Sequence, residues 1–144
     1  MIFALRRLRE GGCILADEVG LGKTIEAGLV IAQRRAEGAQ RILLIVPKSL
    51  IGQWQNELLT LFGIAAREDQ TNFIAPGVFL VGREFAGSER GAESLGAVPP
   101  FDLVVIDEAH EIFSGLHKRY GRDGIYDEAS DEALMAHRVR GFLR

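Results

Sequence analysis

Cysteine, proline and tryptophan are all scarce in this sequence: 144 residues include one Cys, four Pro and one Trp. A single cysteine excludes an internal disulfide framework and a cysteine-based zinc site, and suits a reducing compartment. Neither sign of charge predominates. The formal net charge is −3, so no global positive field announces a nucleic-acid binder, although a local basic groove is still compatible with it. No apolar run approaches the ~20 residues that span a bilayer. Arg6, Arg7 and Arg9 interrupt the stretch where a secretory signal would carry its apolar centre. These absences predict a cytoplasmic protein without a membrane partner. With 47% hydrophobic and 26% charged residues, no internal repeat and no low-complexity linker, the chain reads as one globular domain.

The most informative stretch lies near the start. Cys13 to Ala16 is a short apolar run that stops at Asp17 and Glu18. Val19, Gly20, Leu21, Gly22, Lys23 and Thr24 follow, and Ile25, Leu29, Val30 and Ile31 then recur at helical spacing. The layout is strand, tight loop, helix, as in a phosphate-binding loop. Glycines let successive backbone N–H groups turn toward an anion, and the helix points the positive end of its dipole at the same place. Lys23 is then expected to reach the β- and γ-phosphates, and the Thr24 hydroxyl to ligate Mg²⁺. Asp17 stands where the general pattern G-x-x-x-x-G-K-[ST] has its first glycine, so the pattern alone is imperfect.

Before this stretch, Ile2, Leu5 and Leu8 suggest an amphipathic helix ending at Gly11-Gly12. After it, the sequence predicts a helix from Thr24 to about Glu37 and a doubly buried strand Arg41–Val46, stopped by Pro47. A second helix is predicted from an N-cap at Ser49, with Leu50, Trp54, Leu58 and Leu61 on its apolar side. Trp54 reads first as a packing residue of that helix. Gly63 to Pro76 reads as an irregular connection, Val78–Val81 as a strand, and Glu89 to Leu95 as a short helix. Alternating strands and helices predict an α/β fold with a mainly parallel sheet between helical layers.

In the stretch Phe101 to His110, the four apolar residues Leu103 to Ile106 predict another buried strand, and it ends in Asp107-Glu108-Ala109-His110. An open parallel sheet presents its ligand site at the carboxyl ends of its strands. In a phosphate-loop protein, a carboxylate after such a strand holds Mg²⁺, which gives Asp107 that role. Glu108 is then placed to orient or deprotonate an attacking water. The tail predicts a loop, Ser114 onward, and a helix from Asp131 to Leu143. Arg138, Arg140 and Arg144 near the end of that helix either complement its dipole or contact DNA phosphate, and the cluster His117, Lys118, Arg119, Tyr120 and Arg122 is alternatively solvated loop charge or a backbone contact.

Taken together, Asp17 to Thr24 resembles motif I of the Swi/Snf-type ATPases of helicase superfamily two, in which Asp at the first-glycine position is normal. Val46 to Leu58 resembles motif Ia, and Asp107-Glu108-Ala109-His110 is similar to the DEAH form of motif II. The run Val19 to Gly28 resembles the bacterial RapA-like branch. The resemblance implies a RecA-like lobe of an ATP-driven motor on double-stranded DNA. Asp17, Glu18, Val19, Gly20, Leu21, Gly22, Lys23 and Thr24 would hold ATP, Thr24 and Asp107 the Mg²⁺, and Glu108 and Lys23 would be catalytic. It further implies that His110 couples the nucleotide to a later motif, and that Pro47, Lys48, Ser49, Gln53 and Trp54 contact DNA or shape the surface beside it. A second lobe, duplex DNA and RNA polymerase are the implied partners, with a nucleoid location. No Ser/Thr-Ala-Thr element follows the DEAH strand, and no second lobe with its arginine-bearing motif is found. The expectation is therefore a partial lobe, nearly inactive in isolation. The alternatives are a non-catalytic nucleotide-binding or docking module and an RNA-directed DEAH-type lobe.

Overall fold

A computed structural model describes residues 22–113 and 131–143. The predicted N-terminal helix, the strand Cys13–Ala16, the loop residues Asp17 to Leu21, the basic cluster at 117–122 and Arg144 lie outside the described residues. In chain order the elements are α1 (Lys23–Ala36), β1 (Arg41–Val46), a 3₁₀ turn (Lys48–Leu50), α2 (Ile51–Phe62) and β2 (Ala66–Glu68). They continue with β3 (Gly77–Gly82), α3 (Arg83–Gly87), α4 (Glu89–Gly96), β4 (Leu103–Ile106), α5 (Ala109–Phe113) and α6 (Asp131–Phe142).

The four strands form one sheet in the order β2-β3-β1-β4, with every pair parallel. Parallel neighbours need crossovers, and crossovers put helices on both faces, so a central strand has no wet side. The sequence of β1 meets that condition: Ile42 to Val46 have no exposed surface at all. Strand alternation divides these residues between two cores. Ile42, Leu44, Val46, Val78 and Leu80 pack with Ala27, Val30 and Ile31 of α1 and Ile51, Trp54 and Leu58 of α2. Leu43, Ile45, Phe79 and Val81 pack on the opposite face with Phe73, Ala86, Leu95, Ile112, Val139 and Phe142. This is the three-layer α/β fold the strand-helix alternation implies.

Two local readings need correction. Ser49 does not cap a helix: it lies inside the 3₁₀ turn, and α2 starts two residues later without a side-chain cap. The extended backbone at Pro47 (φ −55°, ψ 136°) ends β1 and sets up that turn. Gly63 to Pro76 is not wholly irregular, because Ala66–Glu68 adds a short edge strand to β3. Its alternation is too brief and too polar to be visible as a strand pattern. The short helix expected at Glu89 to Leu95 is α4; a five-residue helix, α3, precedes it, and Ser88 caps α4 by accepting the Gly91 N–H at 3.0 Å.

The register of β4 on β1 is secured at its entry. Asp102 Oδ2 accepts the N–H groups of Gln40 (2.9 Å) and Arg41 (2.8 Å), while the Asp102 N–H donates to Arg41 O (2.9 Å). Arg41 in turn donates to the carbonyls of Pro99 and Pro100 and lies 5.8 Å over the Phe101 ring. The Arg41 N–H bond, chiefly, holds the Asp102 carboxyl below its ordinary range against an opposing desolvation effect, with further help from Gln40. A carboxyl lowered by folding stabilises the fold above its unfolded pKa and loses that contribution as pH falls through its folded value. Asp102→Asn is therefore expected to lower stability at pH 7 by no more than about 1 kcal/mol, given its exposure. Denaturant titrations should show the gap to wild type closing below about pH 4. A gap that stays constant with pH would rule out this role for the carboxylate.

Candidate functional site

The carboxyl edge of the sheet collects several residues that the sequence singles out and one, Arg83, that it does not. β1 leads there into Pro47, Lys48 and Ser49, β3 into Arg83, and β4 into Asp107 and Glu108. Asp107 continues the ladder for one more bond, donating its N–H to Ile45 O at 2.9 Å. The chain then turns sharply. Glu108 has φ 51°, the one non-glycine residue with positive φ among those described. A β-carbon is disfavoured in that region, at a cost of roughly 1–3 kcal/mol, and such residues concentrate at functional sites. The turn is closed by the Glu111 N–H on Glu108 O at 2.9 Å, which starts α5.

Both oxygens of Asp107 are engaged. Oδ1 accepts the Glu108 N–H at 3.0 Å, and Oδ2 accepts the indole Nε1–H of Trp54 at 3.1 Å. Glu108 is half-buried, with Oε2 3.3 Å from His110 Nδ1, and the His110 side chain is largely exposed. Arg83, at the head of α3, pairs with Glu111 of α5 and with Glu84. The edge therefore has two ordered carboxylates flanked by a basic group that neutralises a neighbouring glutamate, not the pair itself.

Gly22 stands at the mouth of α1 in the left-handed region (φ 90°), and its carbonyl accepts the Glu26 N–H at 2.9 Å. Only glycine adopts that conformation without strain. Lys23 and Thr24 occupy the first turn of this 14-residue helix, both half-buried, where N–H groups without an intrahelical partner and the dipole favour an anion. Among the described residues no side chain caps the end. α1 packs on the same face of the sheet as α2, and its Gly28 lets the two helices approach: a β-carbon there would sit 2.2 Å from the Phe62 ring.

Of the residues expected near DNA, Lys48, Ser49 and Gln53 are exposed and Pro47 is half-buried. Trp54 is only 3% exposed and faces inward, so it is a core residue that also holds Asp107, not a surface contact. Sequence periodicity indicates the inward face but not the hydrogen bond. Arg83 follows the apolar strand β3 directly, which brings a basic side chain to the same edge. Arg138 donates to Gly87 O at 3.2 Å, tying α6 to α3, whereas Arg140 is exposed.

Residues 2–65 match the family described as the SNF2-related domain. The chain is 40% identical over 112 residues to the "Uncharacterized ATP-dependent helicase YqhH" of Bacillus subtilis, a match covering 76% of this chain and 20% of that protein. It is 41% identical over 141 residues to the "RNA polymerase-associated protein RapA" of Pseudomonas fluorescens (strain Pf0-1), covering 90% of this chain and 14% of the relative. RapA of Vibrio campbellii is 37% identical over 143 residues, with the same coverage. The chain thus spans a fifth or less of the length of these relatives. The domain match and these identities, together with the parallel α/β sheet, agree with the motifs at its carboxyl edge: the chain belongs to the bacterial Swi/Snf-type branch of helicase superfamily two.

Proposed function

We propose that this chain is the ATP-binding lobe of a motor that moves along double-stranded DNA, acting with a second RecA-like lobe supplied elsewhere in the protein. The observation that carries the reading is the ordered Asp107–Glu108 pair at the carboxyl edge of β4, in the same fold as a helix that opens with Gly22-Lys23-Thr24. The donor set suits Mg²⁺ with a nucleotide. Among the described residues no group of three or more His, Cys, Asp or Glu side chains converges. A dedicated protein cage is thus not offered, whereas Mg²⁺ in nucleotide sites takes one or two protein oxygens and keeps water and phosphate oxygens. Asp107 and the Thr24 hydroxyl are those protein oxygens in this reading, with Asp17 to Gly22 cradling the phosphates and Lys23 meeting the β- and γ-phosphates. When bound, the ion supplies neutralisation of charge on the phosphate oxygens.

Glu108 accepts the proton of the attacking water, and His110 restrains it from the solvent side. Lys48, Ser49 and Gln53 form the exposed strip beside duplex DNA, with Pro47 shaping its start. Hydrolysis depends on the second lobe, because an arginine supplied across the cleft is worth about 10³–10⁵ in rate in comparable phosphoryl-transfer enzymes. RNA polymerase is the partner suggested by the names of the RapA relatives, and the protein works in the cytoplasm on the nucleoid.

The test uses the full-length protein. ATP hydrolysis is expected to rise when duplex DNA is added, and Lys23→Ala to weaken nucleotide affinity about ten- to a hundredfold through loss of a charged hydrogen bond. Stimulation by RNA but not by duplex DNA would transfer the chain to the RNA-directed members of the superfamily. Nucleotide affinity untouched by Lys23→Ala would refute the phosphate assignment.

A further inference from the structure

Trp54 is the sequence's one tryptophan, and it joins two regions that the chain separates by 53 positions. Its ring is buried in the core cluster that α2 shares with the sheet, which also holds Ile42, Leu44, Val46 and Leu58. A buried indole N–H needs an acceptor, and this one finds the carboxylate of Asp107. The bond is charge-assisted, the stronger kind. Because Oδ1 is simultaneously held by the Glu108 N–H, the carboxylate cannot rotate about its terminal torsion without losing one of the two bonds. Each oxygen has a second lone pair, the kind of acceptor a cation or its water uses.

We propose that Trp54 is a positioning residue for Asp107: its indole N–H fixes the carboxylate in the orientation that receives Mg²⁺. The inference rests on the reading of Asp107 as the Mg²⁺ carboxylate. It also gives α2 a second purpose. That helix follows directly from the exposed strip Lys48–Ser49 and bears exposed Gln53 next to Trp54. A shift of α2 against the sheet therefore reaches Asp107 through a single bond.

Trp54→Phe keeps an aromatic ring in the core and deletes the donor. In the full chain, the Mg²⁺ concentration giving half-maximal binding of a fluorescent ATP analogue should rise about ten- to a hundredfold, the usual effect of removing a group that orients a ligand carboxylate. Binding of the analogue without Mg²⁺ should stay unchanged, which a general loss of structure would not allow. A folded Trp54→Phe protein with the wild-type Mg²⁺ requirement would overturn the proposal.

Asp107→Asn separates the two ideas. If it raises the Mg²⁺ requirement and Trp54→Phe does not, the positioning role alone fails. If Asp107→Asn leaves the requirement unchanged, the Mg²⁺ assignment fails and the positioning role falls with it. Should Trp54→Phe not fold, the single indole N–H resonance of the 144-residue chain decides. It should move upfield in Asp107→Ala and stay in place in Asp69→Ala; a resonance indifferent to Asp107→Ala overturns the proposal.

Discussion

Glu108→Gln in the full-length protein is expected to lower kcat by about 10²- to 10⁴-fold, the range that a positioned general base contributes, while nucleotide affinity is retained. The substitution is nearly isosteric. Glutamine keeps an oxygen for the His110 Nδ1 contact at 3.3 Å, and its backbone tolerates φ 51° no better and no worse than that of glutamate. The turn from β4 into α5 therefore survives, along with the Glu111 N–H bond that closes it. What disappears is the ability to take a proton. Steady-state hydrolysis with saturating DNA, paired with equilibrium binding of a nucleotide analogue, distinguishes this from damage to the site. A loss shared equally by binding and turnover would point to structural damage, and normal turnover would remove Glu108 from the water-activating role. Glutamate stands here at φ 51°, where glycine or asparagine would be easier, a backbone cost of the kind that concentrates at functional sites.

Three of the four described strands were legible because each is a short, continuous apolar run. Arg41–Val46 is an apolar run too short for a helix and too continuous for a half-wet strand, and it emerges as the centre of a parallel sheet with Ile42 to Val46 wholly buried. Asp107 and Glu108 were legible because two acids directly after such a run have to emerge at its carboxyl end. The limits of α2 and the strand Ala66–Glu68 were not. A 3₁₀ turn obeys no apolar period, and an edge strand of Ala, Arg and Glu is defined by its backbone pairing to β3, which leaves no side-chain pattern. The Trp54–Asp107 bond was illegible for a different reason. Helical spacing fixes which way a side chain faces, but its partner depends on where a strand 53 positions away ends. The register that decides this is itself set by Asp102 and Arg41 at the far end of β1 and β4.

Phe79→Ala is expected to cost about 3–5 kcal/mol, the largest stability loss of any change considered, from lost burial and the cavity left behind. Phe79 is fully buried in β3, with the Phe73 ring edge-on at 5.4 Å and the Phe101 ring edge-on at 6.3 Å. The Arg67 guanidinium of β2 lies over it at 5.0 Å. Such contacts add about 0.5–1.5 kcal/mol per aromatic pair and roughly 0.5–1 kcal/mol for an exposed cation over a ring. The site cannot collapse easily, because two backbones converge on it: β3 is paired to β1 on one side and β2 on the other. The short edge strand β2 should suffer most, since Arg67 loses the ring it covers. Equilibrium unfolding in urea should therefore show a lower midpoint for Phe79→Ala, with hydrogen exchange accelerated first at Ala66 to Glu68. Ile74→Ala is the control: its side chain is 71% exposed, and the change should stay within about 0.5 kcal/mol. Equal midpoints for the two variants would mean that the aromatic cluster does not anchor this face of the sheet. A large loss confined to Phe79→Ala, with nucleotide affinity unchanged below the unfolding range, would show that the core beneath β3 supports the fold without setting the chemistry at the carboxyl edge.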